Sequence, residues 1–288
     1  MKTESYQDKT VMVISPHADD AAAFCGGTLA KLADQGAVIL LVRVTDDSRD
    51  SVGLSVAETI RCNREQLIQA AQILGISEVL ELGFETDTLA DVPLGELRER
   101  FVYLFRKHQP YAVFSFDPYG MYENNQDHIR IAQAVDEAYW VSCFDKHYPQ
   151  HFQEGLLPFS VFERWYFARQ LQHATHYEEI TGCIEKKISA LCAHREMLRN
   201  TLNQYRLQVQ TGGQSAPWLE QAFHGDPRQV ITAFLQGQAG VHAAAAGWQE
   251  GTMAEAFRLE RFGALDPIFE NPDVFPDDGS EIAPKNRE

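Results

Sequence analysis

Three ionisable side chains, His17, Asp19 and Asp20, follow a short apolar run, Val11 to Ile14, that closes on Ser15-Pro16. Such an apolar, β-branched run reads as a buried parallel strand. In open α/β sheets the ligand crevice lies beyond the carboxyl ends of such strands. A histidine and an aspartate three apart on the turn leaving the strand can face one point and bind a metal. The aspartate between them is then free to act as a base. A catalytic zinc site takes about three protein ligands and keeps an open position for water. The third is expected from the end of another parallel strand. The segment 112–117 reads as one, ending at Asp117, and its loop delivers Asn124-Asn125-Gln126-Asp127-His128. A protonated histidine opening a helix opposes the helix dipole, which suits a neutral imidazole on a metal. The plain alternatives are a solvated Asp-Asp turn and a histidine that merely begins a helix. The set as a whole points to a hydrolase that uses a metal-activated water.

The elements that must position these residues alternate along the chain. Cys25-Gly26-Gly27-Thr28 reads as a glycine turn with Thr28 capping a helix that Gly36 ends. Strands are expected at 37–45, 78–83 and 112–117, and a later one at 160–168. Helices are expected at 57–74, stopping at Gly75, at 94–107 and from about His128 to Val141. Residues 178–208 read as one long helix, whereas the Gly/Gln/Ala-rich stretch 209–252 gives no clear pattern. The expected fold is α/β: a Rossmann-like, mostly parallel sheet flanked by helices, with a C-terminal helical extension. One domain over 1–288 is expected, with a core at about 10–170 and an extension with an acidic tail at about 171–288.

The 288-residue chain has a formal net charge of −16 and 44% hydrophobic residues, enough for one substantial core. The acidity argues against nucleic acid and against anionic membrane surfaces. Five cysteines without C-x-x-C spacing imply neither a disulfide framework nor a thiolate zinc site. The polar N-terminus lacks an apolar signal core, so a cytoplasmic protein with a small-molecule substrate is expected. A homo-oligomer is compatible with this reading. No strand-linked G-x-G-x-x-G is present to support nucleotide binding.

In motif order and spacing, SPHADD and NNQDH resemble the two signature segments of the PIG-L/LmbE-like de-N-acetylases. Gly26-Gly27-Thr28, Leu74-Gly75, Leu82-Gly83 and Ala254-Glu255-Ala256-Phe257-Arg258 add to the resemblance. The resemblance implies one zinc ion (other divalent metals could substitute) bound by His17, Asp20 and His128. It makes Asp19 the general base and Asp127 a residue that orients a neighbouring side chain. Asn125 stands where the family carries a histidine that serves the oxyanion or the leaving amine; an amide can donate to an oxyanion but has no proton to give. Ala18 and Ala21 replace the usual proline and glutamate. Asp87 and Arg64 resemble family residues near the substrate, although an ordinary loop acid and an exposed helical ion pair account for them equally, and Arg61 lies close to Arg64. The implied function is removal of an N-acetyl or similar acyl group from an amino sugar or its conjugate. The alternatives are an S-conjugate amidase and a catalytically weak metal- and sugar-binding member. His194 reads as helix packing or surface, and His147, His151, His173 and His176 as surface. Trp140, Tyr148, Trp165, Tyr166 and Trp218 line either a sugar pocket or the core.

Overall fold

The computed structural model describes residues 5–265. The acidic stretch 266–288 lies outside them. Strand β1 (Thr10–Ser15) lies in the middle of the sheet, between β2 (Val38–Thr45) and β4 (Ala112–Phe116), parallel to both. Strand β3 (Glu78–Phe84) extends the sheet beyond β2, and β5 (Glu163–Phe167) extends it beyond β4, again in parallel. Two further strands, β6 (His176–Glu179) and β7 (Ala254–Glu260), complete a seven-stranded sheet of order β3-β2-β1-β4-β5-β7-β6. β7 runs antiparallel to β5 and to β6. The expected mostly parallel, Rossmann-like sheet is thus present. The stretch beyond residue 170 supplies strands to it as well as helices.

Alternate side chains of the central strands face opposite layers, as the twofold strand period requires. Met12, Ile14, Leu40, Val42 and Val113 pack under α3 (Leu94–His108) and α4 (Gln126–Val141), against Phe101, Phe105, Ile131 and Tyr139. Val11, Val13, Ile39, Leu41 and Phe114 face α1 (Asp20–Asp34) and α2 (Val56–Leu74), meeting Cys25, Leu29 and Leu67. With both faces covered, β1 and β4 are buried along nearly their whole length, which is why they read as continuous apolar runs.

Two boundaries differ from the expectation. Gly26 and Gly27 do not form a turn; they lie inside α1, which already starts at Asp20. A Cβ on Gly27 would lie 2.6 Å from Ile180, so a glycine lets α1 approach that side chain. The expected long helix is broken: residues 176–179 form β6, and two helices follow, α6 (Ile184–Ala193) and α7 (Arg195–Thr211), separated at His194. The unclear stretch after them folds into α8 (Pro217–His224) and α9 (Arg228–Ala245). The short helix α5 (Pro149–Gln153) carries His151, which is buried and 3.2 Å from Arg106 Nη1 rather than at the surface. His176 is half-buried and packs edge-on against Trp165. Trp165 and Tyr166 belong to the core, whereas Trp140 and Trp218 are exposed. α2 ends as expected, on Gly75 in the left-handed conformation, and starts on a Ser55/Glu58 capping box. No helix among the described residues is long and apolar enough to cross a membrane.

Candidate active site

The strand order reverses direction between β1 and β4, the place where a doubly wound sheet opens a crevice at its carboxyl edge. The turn 16–19 leaves β1 on one side of that crevice, and the loop 117–125 leaves β4 on the other. The first turn is pinned on several sides. The Ser15 hydroxyl donates to the His17 carbonyl at 2.6 Å and accepts from the Ala21 amide. The Thr45 amide and hydroxyl both donate to the Pro16 carbonyl. The Ala18 amide donates to Asp47 Oδ1 at 3.2 Å.

These constraints bring His17, Asp20 and His128 together. All three are buried, and their candidate ligand atoms lie within 4.8 Å of one another. His17 Nδ1 is 3.0 Å from His128 Nε2 and 3.4 Å from Asp20 Oδ2; His128 Nε2 is 3.3 Å from Asp20 Oδ1. The outer nitrogens have carboxylate partners. His17 Nε2 is 3.3 Å from Asp127 Oδ2, and His128 Nδ1 is 2.9 Å from Glu123 Oε2. If each outer nitrogen donates its proton to its carboxylate, the two inner nitrogens are left as bare lone pairs facing each other. That arrangement is repulsive without a proton or a cation between them. Around zinc, with ligand bonds of about 2.0–2.1 Å, tetrahedral donors stand roughly 3.3 Å apart. The observed separations fit that spacing, and carboxylate–histidine pairs are the usual outer support of a zinc site. The donor set therefore fits a divalent ion.

The electrostatics agree with this arrangement. Burial opposes charge on His17, but the carboxylates of Asp127 and Asp20 outweigh it and hold its pKa well above the ordinary value. Burial likewise opposes charge on His128, yet Asp20 and Glu123 push its pKa up to about 9. Against its own burial, Asp20 is held far below the carboxylate range by the His128 and His17 rings. Carboxylates that favour protons on two adjacent imidazoles equally favour a cation between them. Asp19 differs: burial, then the neighbouring Asp20 charge, raises its pKa to about 7. Its carboxylate makes no capping bond to α1.

The remaining expected residues fall in different places. Asp127 is fully buried and holds the next loop by accepting from the Asp87 amide at 2.7 Å and the Leu89 amide at 3.1 Å. Asn125 is the N-cap of α4, its Oδ1 accepting from the amides of Asp127 and His128. That fixes which end of the side chain is oxygen and leaves Nδ2 as the free donor. Asp87 has a left-handed backbone, φ 62°, and its carboxylate is an electrostatic neighbour of Asp50. Arg64 is not brought to the cluster: it is largely exposed and pairs with Glu81 at 2.8 Å. His194 is buried at the break between α6 and α7, and neither ring nitrogen is hydrogen-bonded among the described residues.

Sequence reasoning missed Glu123 and its support. Arg169, just after β5, pairs with Glu123 at 3.1 Å, and the Asn125 amide donates to Glu123 Oε1. It also missed the bidentate pair between Asp117, at the head of the same loop, and Arg258 on β7, at 2.8 and 2.9 Å. A carboxylate five residues before His128 was the available signal for Glu123. Phe116 stacks on the His128 ring, centroids 4.1 Å apart, and closes the apolar side of the cluster.

Residues 12–139, which include every member of this cluster, match the family model "PIG-L: GlcNAc-PI de-N-acetylase". The chain is 28% identical over 194 residues to the diacetylchitobiose deacetylase of Thermococcus kodakarensis, covering 66% of this chain and 71% of that protein. A probable N-acetyl-alpha-D-glucosaminyl L-malate deacetylase 2 of Bacillus cereus is 26% identical over 140 residues, 46% of this chain and 61% of its own length. Among solved structures, N,N'-diacetylchitobiose deacetylase from Pyrococcus horikoshii superposes with a TM-score of 0.71 at 24% identity, covering 88% of this chain and 84% of that one. Residues 12–139, the segment that builds the crevice, are thus similar to the PIG-L de-N-acetylases.

Proposed function

We propose that the protein is a zinc-dependent amidohydrolase that removes an N-acetyl or similar acyl group from an amino sugar or amino-sugar conjugate. The observation that carries this reading is the pair of imidazole nitrogens facing each other at 3.0 Å beside Asp20, within the segment shared with the de-N-acetylases. His17, Asp20 and His128 would hold the ion. When bound, zinc supplies Lewis acidity, polarising an amide carbonyl and acidifying water.

The chain's own groups do the rest. Asp19 has a pKa near neutrality and no capping bond, so it can take a proton from the attacking water as general base. Once protonated it can return that proton to the leaving nitrogen, which Asn125 cannot do. Asn125 Nδ2 donates a hydrogen bond to the oxyanion that develops on the carbonyl oxygen. Asp127 and Glu123 fix the tautomers of His17 and His128. The products are a carboxylate, acetate in the simplest case, and a free amine.

Metal content and acetate release from a panel of N-acetylated sugars test the reading together. About one ion per chain, lost in His128→Ala, and acetate formed in proportion to free amine are expected. Full metal occupancy in His128→Ala removes that residue from the site. Loaded protein that releases no acetate from any sugar overturns the deacetylase reading.

A further inference from the structure

Asp50, in the loop after β2, carries a buried carboxylate oxygen, Oδ2, that nothing among the described residues satisfies. Its loop lies against the turn after β1, where Asp47 Oδ1 accepts from the Ala18 amide at 3.2 Å next to His17, and its electrostatic neighbours are His17, Asp87, Asp20 and Asp127. Its backbone is fixed: the Asp50 amide donates to the Asp47 carbonyl, and Asn63 Nδ2 donates to the Asp50 carbonyl at 3.1 Å. Asn63 is fully buried, yet its Oδ1 is unpartnered among the described residues. Buried acceptors are rarely left unsatisfied in a folded protein, and an exception beside a reactive cluster is a place where an ordered water, an ion or a substrate donor supplies the partner.

Charge tells what that molecule can be. The five loops leaving the carboxyl ends of β1–β5 hold nine acidic residues and only two basic ones, Arg49 and Arg169, with no lysine. Both arginines are already committed, Arg49 to Glu85 at 2.6 Å and Arg169 to Glu123 at 3.1 Å. Arg43 and Arg258, on the neighbouring strands, are paired with Asp47 and Asp117. Anionic groups are gripped by guanidinium or ammonium groups free to receive them, and none of these loops or strand ends offers one. A carboxylate or phosphate beside the scissile amide would face Asp50 and Asp87 with no free basic side chain to offset them, the proposed ion already being matched by Asp19, Asp20, Asp127 and Glu123.

We propose that the site selects N-acylated amino sugars whose remaining part is neutral or bears an ammonium group, rejects those with an adjacent carboxylate or phosphate, and uses Asp50 to receive the substrate's hydroxyl or ammonium donors. This rests on the deacetylase reading and names the substrate class within it. The test compares three N-acetylglucosamine derivatives on the zinc-loaded full chain: the methyl glycoside, the disaccharide with a free glucosamine, and the 1-phosphate. The neutral and cationic compounds are expected to be hydrolysed. The phosphate should have a kcat/KM about tenfold lower or worse, with the gap narrowing as salt screens the repulsion. Asp50→Asn, which keeps shape and metal content, should raise KM for the cationic compound several-fold and shrink the penalty on the phosphate. Equal or better turnover of the phosphate overturns the proposal, as does an unchanged substrate ratio in Asp50→Asn. Calorimetry with glucosamine and glucosamine 6-phosphate reads the same preference by binding alone. Selective glucosamine binding without hydrolysis sustains the charge preference and rejects the deacetylase; equal or stronger binding of the phosphate rejects the preference.

Discussion

Glu123 Oε2 lies 2.9 Å from His128 Nδ1, so the loop that delivers this histidine also supplies the carboxylate that aims it. Arg169 holds that carboxylate from the neighbouring strand end. Glu123→Ala should therefore weaken zinc binding by about 10–100-fold, the usual cost of losing an outer partner of a ligand histidine. Titration against a fluorescent chelator checks this. Unchanged affinity would detach Glu123 from the site.

Asp19 and Asp20 are adjacent but should fail differently. Asp19→Asn is expected to keep its metal and lose kcat by about a hundredfold or more, the scale of a general base. Asp20→Asn should lose the metal itself. Elemental analysis and single-substrate kinetics on both variants separate the two outcomes, and the reverse pattern exchanges the roles.

Asn125 does two jobs with two ends of one amide, and substitutions can part them. Asn125→Ser keeps a cap acceptor for the amides of Asp127 and His128 and removes the Nδ2 donor. Stability should stay within a few tenths of a kcal/mol of wild type, since serine and asparagine cap about equally well, while kcat falls by roughly ten- to a thousandfold. Asn125→Ala should lose about 1 kcal/mol of stability in addition. Activity that survives in Asn125→Ser makes the side chain a cap alone.

Burial holds His194 near pKa 4, below the ordinary 6.5, so the folded chain keeps this ring neutral where the unfolded chain protonates it. Between about pH 6.5 and 4 the unfolded state binds the extra proton, and stability falls as pH drops, by about 2–3 kcal/mol in total. Above pH 6.5 the effect vanishes. Chemical denaturation of wild type and His194→Leu at pH 7 and 4.5 measures it. The variant should lose less stability between the two pH values, and an equal loss in both removes His194 as a source of acid sensitivity.

Lys187 and Glu255 form a buried ion pair at 2.5 Å, and the same carboxylate accepts the Gly27 and Thr28 amides. Glu255→Ala leaves a buried ammonium without its partner and should cost about 3–5 kcal/mol. Thermal or denaturant unfolding reads the change directly, and a cost below about 1 kcal/mol would mean that water reaches the pair.

Local patterns made the centre of the fold and the grouping of His17, Asp20 and His128 legible. The runs 11–14 and 38–42 are apolar because helices cover both sheet faces, and His17 to Asp20 follow the first after Ser15-Pro16. Gly26-Gly27 misled because two adjacent glycines normally signal a turn; their reason is the distant Ile180, which no local pattern announces. The break at His194 was hidden because Ile184, Ile188, Leu191, Leu198 and Leu202 keep a helical spacing across it, and neither Gly nor Pro marks the bend. β6 is only His-Tyr-Glu-Glu and has no apolar alternation; its partner strand defines it. Glu123 and Asp50 escaped notice because their roles depend on loops folding back over the sheet edge, a tertiary matter.

The Asp117–Arg258 pair joins the mouth of the crevice to the last strand of the sheet. Ribosomes deliver a protein from its N-terminus, so every candidate ligand emerges well before this tie can form. Until β7 docks beside β5, the loop that carries Glu123 has its anchor missing at one end, and the partly made chain would present a weak, unfinished ion site. On the proposed reading, metal capture is thereby linked to completion of the polypeptide, and a truncated or stalled product would gain little hold on the ion.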